Sequence, residues 1–399
     1  MEFVTEAERK LPVTAECDVF VAGGGIAGAA AALAAARGGA KVLLCERECM
    51  LGGLGTLGIV TIYLPLCDGC GRQVSYGISE ELLRLSIKHG AEARYPAPWL
   101  EGGTVGEKTK TRFEVQYNAH LFAIELERLL LQEGVTLLYA TQVSGVMKRD
   151  GKIDAVIIEN KGGRQAVRVR SVVDATGDAD VCALAGEDTA VFAQGNKLAA
   201  WYYGLGKAGH ELNMLGFADV VDENGNYIDD EKQNTGRFSG LDGFETSRML
   251  TLAHGRILEH MLKKRETDEG YVPVNVPTIP QLRMTRRLTG AFTLDEAQMH
   301  TYFDDSVGMV GDWRKRGPVY ELPFGTLYGH KVKNLICAGR CISVTDPMWD
   351  IARVIPVCAQ TGEASGTAAA MSTDFASLRV ADLQAQLVKN GVVLHEREL

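Results

Sequence analysis

Residues 17–37 read CDVFVAGGGIAGAAAALAAAR, and this stretch restricts the fold more than any other part of the chain. Cys17 to Ala22 is a short run of β-branched, aromatic and other apolar side chains, the composition of a buried strand. Gly23-Gly24-Gly25-Ile26-Ala27-Gly28 follows at once and leads into alanine-rich sequence as far as Arg37, which predicts a tight turn and then a closely packed helix. Lys41 to Cys45 is a second apolar strand and ends on Glu46. A helix between two buried strands carries the chain back over the sheet, so the strands lie parallel and the segment is a Rossmann-type βαβ half.

The glycines at 23, 25 and 28 have the spacing that a dinucleotide diphosphate requires. Gly23 permits the turn, Gly25 lets main-chain amides approach the phosphates, and Gly28 lets the helix pack on the strand. The helix N-terminus adds partial positive charge, and Glu46 stands where a carboxylate accepts the ribose hydroxyls. NAD and FAD are bound by the same first fingerprint, so these residues alone leave the choice between them open.

Farther along, apolar residues recur at helical spacing over 78–89 and 113–133. A strand is expected over 135–139, and a meander over 143–147, 153–158 and 166–169 with turns at Asp150-Gly151 and Gly162-Gly163. A further strand over 171–174 runs into Ala175-Thr176-Gly177-Asp178. Residues 206–243, rich in Gly, Asp, Glu and Asn, read as a surface excursion, followed by a helix over 244–264. Asn334 to Ala338 is again a buried strand, ending in Gly339-Arg340, and the last long helix is expected to start near Gln360-Thr361-Gly362. The division that results is an α/β dinucleotide domain built from 1–190 and 318–399, with an inserted α+β substrate or cap domain over 191–317.

Composition narrows the function classes. Lys+Arg total 42 against 51 Asp+Glu, a net charge of −9, which argues against general affinity for nucleic acid or an anionic membrane surface. Nine cysteines without a leader pattern or a long apolar span point to a cytoplasmic protein with reduced thiols. The eight histidines form no closely spaced ligand set, so no metal is expected.

The segments DVFVAGGGIAGAAAA, ERECMLGGLGT, VVDATGDAD, NLICAGRCIS and ARVIPVCAQTGEASGTAAA together resemble the FAD-dependent oxidoreductase family of the glutathione-reductase-type fold. The resemblance is to its bacterial members, themselves distantly similar to the fumarate reductase and succinate dehydrogenase flavoproteins. It implies that Gly23, Gly25, Ile26, Ala27 and Gly28 hold the diphosphate of FAD, Glu46 the adenosine ribose, and Arg47 the adenine side. Gly53, Gly55 and Thr56 would line the phosphate and ribityl region, Val143 would meet adenine, and Gly177 and Asp178 form a second cofactor turn. Gly339 and Arg340 stand where many relatives have Gly-Asp, which removes the usual carboxylate contact to the ribityl chain. Thr361 and Gly362 would begin the helix beneath the flavin.

The expected activity is hydride exchange between flavin N5 and a small polar substrate, anionic or hydroxylated, with an electron partner the sequence does not name. Arg283, Arg286, Arg287, Arg316 and Arg353 are candidates for holding an anionic group, with Arg353 and Arg287 placed in the reaction site. Tyr76 and His330 are candidate proton carriers, and Cys67-Asp68-Gly69-Cys70 is a candidate dithiol set against a default of reduced structural thiols. Rival readings are an NAD(P)-dependent dehydrogenase and a flavoprotein whose cofactor is structural. Homo-oligomerisation stays open.

Overall fold

The computed structural model describes residues 2–216 and 236–399. Strand β1 (Val13–Ala22), helix α1 (Ile26–Arg37) and strand β2 (Val42–Cys45) form the expected crossover, with β1 and β2 parallel from Val19↔Val42 to Ala22↔Cys45. The short strands β3 (Ile62–Tyr63) and β4 (Val115–Gln116) pair with each other, and between them lie α2 (Ile78–Ser86), α3 (Ala97–Leu100) and α4 (Val105–Lys110).

Helix α5 (Ala119–Gln132) starts later than its apolar periodicity predicts. Residues 113–117 are drawn into extended pairing, and the Asn118 side chain then accepts the His120 and Leu121 N–H groups, 3.1 Å each, which fixes the helix start. Strand β5 (Thr136–Leu138) joins β2 in parallel, and β6 (Gln142–Arg149), β7 (Lys152–Asn160) and β8 (Gly163–Asp174) form the meander. The two strands expected over 166–169 and 171–174 are one. The first half of β8 pairs with β7, while its length from Ala166 to Asp174 runs parallel to β1.

Past α6 (Asp180–Ala185) and β9 (Thr189–Val191), strands β10 (Ala200–Gly206) and β11 (Gly209–Leu215) make an antiparallel hairpin. The expected surface excursion is therefore sheet up to Leu215, and its acidic run Asp222-Glu223-Asn224-Gly225-Asn226 lies outside the described residues. Helix α7 (Gly243–Arg265) packs Met249, Ala253 and Ile257 against Ala200 and Tyr202 of β10, and β12 (Val272–Asn275) completes a three-stranded sheet. Strand β13 (Arg286–Leu288) pairs with β9, and β14 (Ser306–Gly311) pairs with β15 (Val319–Pro323). The chain then returns to the main sheet through β16 (Leu335–Cys337), parallel to the end of β8, followed by α8 (Asp346–Ala352), α9 (Ile355–Met371) and α10 (Val380–Lys389).

The main sheet has the order β5-β2-β1-β8-β7-β6, with β16 beside β8. It is buried on both faces, as the alternation along β1 shows. Val19 and Val21 face the cluster that holds α1 and α9, while Phe20 and Ala22 face the cluster that holds α6. Helices α1 and α9 approach each other closely because Gly362 and Gly366 have no side chain; a Cβ on either would overlap the carbonyl oxygens of Ala27 and Ala31. This packing fixes the start of α9 relative to the glycine turn after β1. Among the described residues no helix is long and apolar enough to cross a membrane.

Candidate active site

Parallel strands bring their carboxyl ends to one edge of a sheet, and ligands of open α/β folds bind in the crevice outside that edge. Here β1 delivers Gly23 and Gly25, β2 delivers Glu46 and Arg47, β8 delivers Ala175 to Asp178, and β16 delivers Ala338 and Arg340 to one long trough. The trough encloses about 1520 Å³ of atom-free space, its open mouth included. Its other wall is Ile279, Pro280, Leu282 and Arg283 from the middle of the chain, and one end is closed by Arg353, Val354, Ile355 and Cys358.

The glycine turn is built for a ligand's close approach. Gly23 has φ +98°, and a side chain there would press on the Ala175 carbonyl, so this position requires glycine. A Cβ on Gly28 would overlap the Gly23 carbonyl oxygen. A Cβ on Gly25 would meet nothing within 4 Å, so the space in front of this turn is open. A second glycine turn locks onto the first: the Gly52 N–H donates to the Gly24 carbonyl at 2.8 Å, and Gly52, Gly53 and Gly55 continue the same wall.

Glu46 is held in place from two sides. The Gly24 N–H donates to its Oε2 at 2.6 Å and the Glu48 N–H to its Oε1 at 2.8 Å, while burial pushes its carboxyl above the usual range. Arg47 and Val143 line the trough nearby. Gly177 and Asp178 line it from β8, and the Asp178 carboxylate pairs with Arg340 at 3.2 Å and accepts the Thr285 hydroxyl at 2.6 Å. Asp180, beside them, is pushed up to about 6 by burial and by the neighbouring Asp178 and Asp174.

Residues 18–200 and 241–389 match the model of the FAD dependent oxidoreductase family. The chain belongs to this family. It is a FAD-dependent oxidoreductase, and the NAD(P)-dehydrogenase reading is set aside. Among curated proteins no sequence matches it. Solved structures similar to it include p-nitrophenol 4-monooxygenase from Pseudomonas putida DLL-E4, at 12% identity and TM-score 0.49, covering 94% of this chain and 81% of that one. A geranylgeranyl bacteriochlorophyll reductase-like protein from Thermoplasma acidophilum is similar at 16% identity and TM-score 0.41, covering 94% and 82%. A 3-ketosteroid-delta4-(5alpha)-dehydrogenase from Rhodococcus jostii RHA1 is similar at 15% identity and TM-score 0.42, covering 90% and 97%.

The residues present fit FAD. The open cradle before Gly25, the buried and oriented Glu46, and a trough lined from the Gly25 turn to Ile355 are what an extended dinucleotide needs.

Five of the expected cofactor residues support the trough from behind. Gly28 packs α1 on the strand, and the Thr56 hydroxyl donates to the Leu51 carbonyl at 2.6 Å. The Gly339 N–H donates to Thr361 Oγ1 at 2.9 Å, and Gly362 lies against Ala27. Thr361 and Gly362 do not open the helix expected there, because α9 begins six residues before Thr361, at Ile355, with Pro356 in its first turn. Ile355 and Cys358 are its residues at the trough, and the Val354-Ile355-Pro356 run was the sequence signal for that start.

Three of the expected reaction residues lie elsewhere. Arg287 is ion-paired with Asp346 at 3.0 Å and sits over the Trp349 ring, outside the trough lining. The Tyr76 hydroxyl donates to the Gln73 carbonyl in the loop before α2, and His330 is exposed in the turn before β16. Arg353 does line the trough, with its Nε 3.0 Å from Asp350. Cys67 is buried and Cys70 exposed, both as free thiols. The thiols that fold together are Cys182 and Cys337, 3.2 Å apart beside Asp174 and wholly buried. They come from α6 and β16, too far apart in sequence for spacing to reveal.

Proposed function

We propose that FAD lies extended along the trough, its diphosphate at the Gly25 turn and its ring against the start of α9, and that the enzyme exchanges hydride with a small polar organic substrate, anionic or hydroxylated. The observation that carries this reading is the convergence of four parallel strand ends and two interlocked glycine turns on one trough that ends at a helix N-terminus. Bound FAD supplies the two-electron carrier, and the protein supplies position and electrostatics.

The amides of α1 and the Gly25 turn hold the diphosphate without a cationic side chain, Glu46 accepts the ribose hydroxyls, and Val143 and Arg47 border adenine. At the other end, Ile355 and Val357 are first-turn residues of α9 whose N–H groups have no partner within the helix, while Pro356 has none to offer. With the helix dipole behind them they favour negative charge at the pyrimidine edge of the ring, and so favour its reduction. Cys358, pushed up to about 11 by burial, stays a neutral thiol there. On this reading 1–190 and 318–399 carry the cofactor, and 191–317 covers the substrate side.

Anaerobic mixing of the FAD-loaded enzyme with alcohol, hydroxy-acid, amino-acid and sugar donors, while flavin absorbance near 450 nm is followed, tests the reaction class. Bleaching by at least one donor, or reoxidation of the reduced enzyme by an enoate, is expected. A loaded enzyme inert to every donor and acceptor would refute hydride exchange with such substrates.

A further inference from the structure

Three guanidinium groups line the trough near the start of α9, and two of them are neutralised by the protein itself. Arg340 is paired with Asp178 at 3.2 Å, and Arg353 with Asp350. Arg283 is different. It is 9% exposed, and its Nη1 donates to the Gln281 carbonyl at 2.9 Å. Its guanidinium lies 5.3 Å from the centroid of the Trp201 ring, and among the described residues it has no carboxylate partner. A buried cation held only by a carbonyl and an aromatic face is costly unless an anion joins it. Burial, with repulsion from Arg353 and Arg340 and partly opposed by Asp350, pulls its pKa down to about 9, so it is still charged at neutral pH.

We infer that Arg283 is the anchor for a carboxylate of the substrate, and that the substrate is an organic monocarboxylate with an apolar body. The inference rests on the proposed placement of the flavin ring and deepens it. Arg283 belongs to the ring end of the trough, because the Arg340 Nη1 donates to its main-chain carbonyl at 3.0 Å and Arg353, two residues before α9, lines the same trough. The diphosphate end is served by the amides of the Gly25 turn. One uncompensated charge matches one carboxylate, and a guanidinium fork takes a carboxylate in two hydrogen bonds. Beside Arg283 the wall is apolar, with Leu282, Ile279 and Ile62, which suits a hydrocarbon body and not a second charge.

The test is a titration of the FAD holoenzyme with benzoate, read by the perturbation of the flavin visible spectrum, in parallel with the uncharged benzamide. The wild-type enzyme is expected to bind benzoate at least tenfold more tightly than benzamide. Arg283→Met is expected to retain FAD and lose that preference, with benzoate weakened tenfold or more. Should Arg283→Met fail to accumulate with FAD bound, Arg283→Lys serves, because one ammonium in place of the fork still weakens benzoate severalfold. Equal benzoate affinity in wild type and variant would overturn the inference. So would a changed flavin midpoint potential with benzoate binding intact, which would make Arg283 a partner of the ring. Donor bleaching that persists alongside unchanged benzoate binding would remove the anchor and leave the proposed reaction standing; benzoate binding lost in the variant, with no donor active, would do the reverse.

Discussion

Two glycines three residues apart act through opposite physics, and substitution separates them. Gly25 has φ −63° and ψ 178°, backbone that any residue adopts, and open space where a side chain would stand. Gly25→Val is therefore expected to fold with a melting temperature close to that of the wild-type apoprotein and to lose FAD affinity by tenfold or more. Gly28→Val drives a side chain into the Gly23 carbonyl and is expected to lose several kcal/mol of stability, about the range of overpacked or strained core substitutions. Thermal melts of the apoproteins with FAD titrations decide this; a Gly25→Val protein that binds FAD like wild type would contradict the cradle. Both positions were legible in the sequence, since strand, glycine spacing and helix are local features. The isolation of Arg283 was not. The sequence offers five candidate arginines, and only the folded chain shows that Asp180, Asp346 and Asp350 pair with Arg286, Arg287 and Arg353, that Arg316 is exposed, and that Arg283 lines the trough without a carboxylate partner among the described residues.

Among the elements, α9 departs furthest from the start its sequence predicts. Gly362 and Gly366 let it lie closely on α1. It starts at Ile355 and not near Gly362 because Pro356, with a fixed φ and no N–H, suits a first helical turn. Helix α5 shows the converse: its apolar spacing extended past the true start, which the Asn118 cap marks. One buried acid on α9 gives a prediction. Glu363 is 1% exposed, accepts the Ile78 N–H at 2.8 Å at the start of α2, and is pushed up to about 8 by burial, with Glu81 adding to the effect. The folded protein thus keeps a proton that the unfolded chain releases near pH 4.5. Between those values the folded state binds more protons, so this group makes stability fall as pH rises toward about 8 and adds no further decline above it. Glu363→Gln keeps an acceptor without a charge and is expected to flatten that decline, by at most about 5 kcal/mol across the window. Urea unfolding at pH 5, 7 and 8.5 measures it; parallel profiles for the two proteins would mean Glu363 is ionised in the fold.

The whole molecule joins a sheet whose strand ends form one wall to a middle segment that forms the other. The first wall was readable because β1, β8 and β16 each run into a glycine at Gly23, Gly177 and Gly339, and β2 ends on Glu46. The second was not, because the hairpin β10-β11, helix α7 and Ile279 to Arg283 are set against the trough by long-range packing of Trp201 on Ile62, which no local pattern encodes. The measurement that reaches the central claim most directly is a crystal structure of the FAD-loaded enzyme. The expected result has the diphosphate over the amides of Gly25 and Ile26, Glu46 on the ribose, and the ring edge at Ile355 to Cys358 within reach of Arg283. A diphosphate bound away from the Gly25 turn, or a ring lying remote from the start of α9, would contradict it.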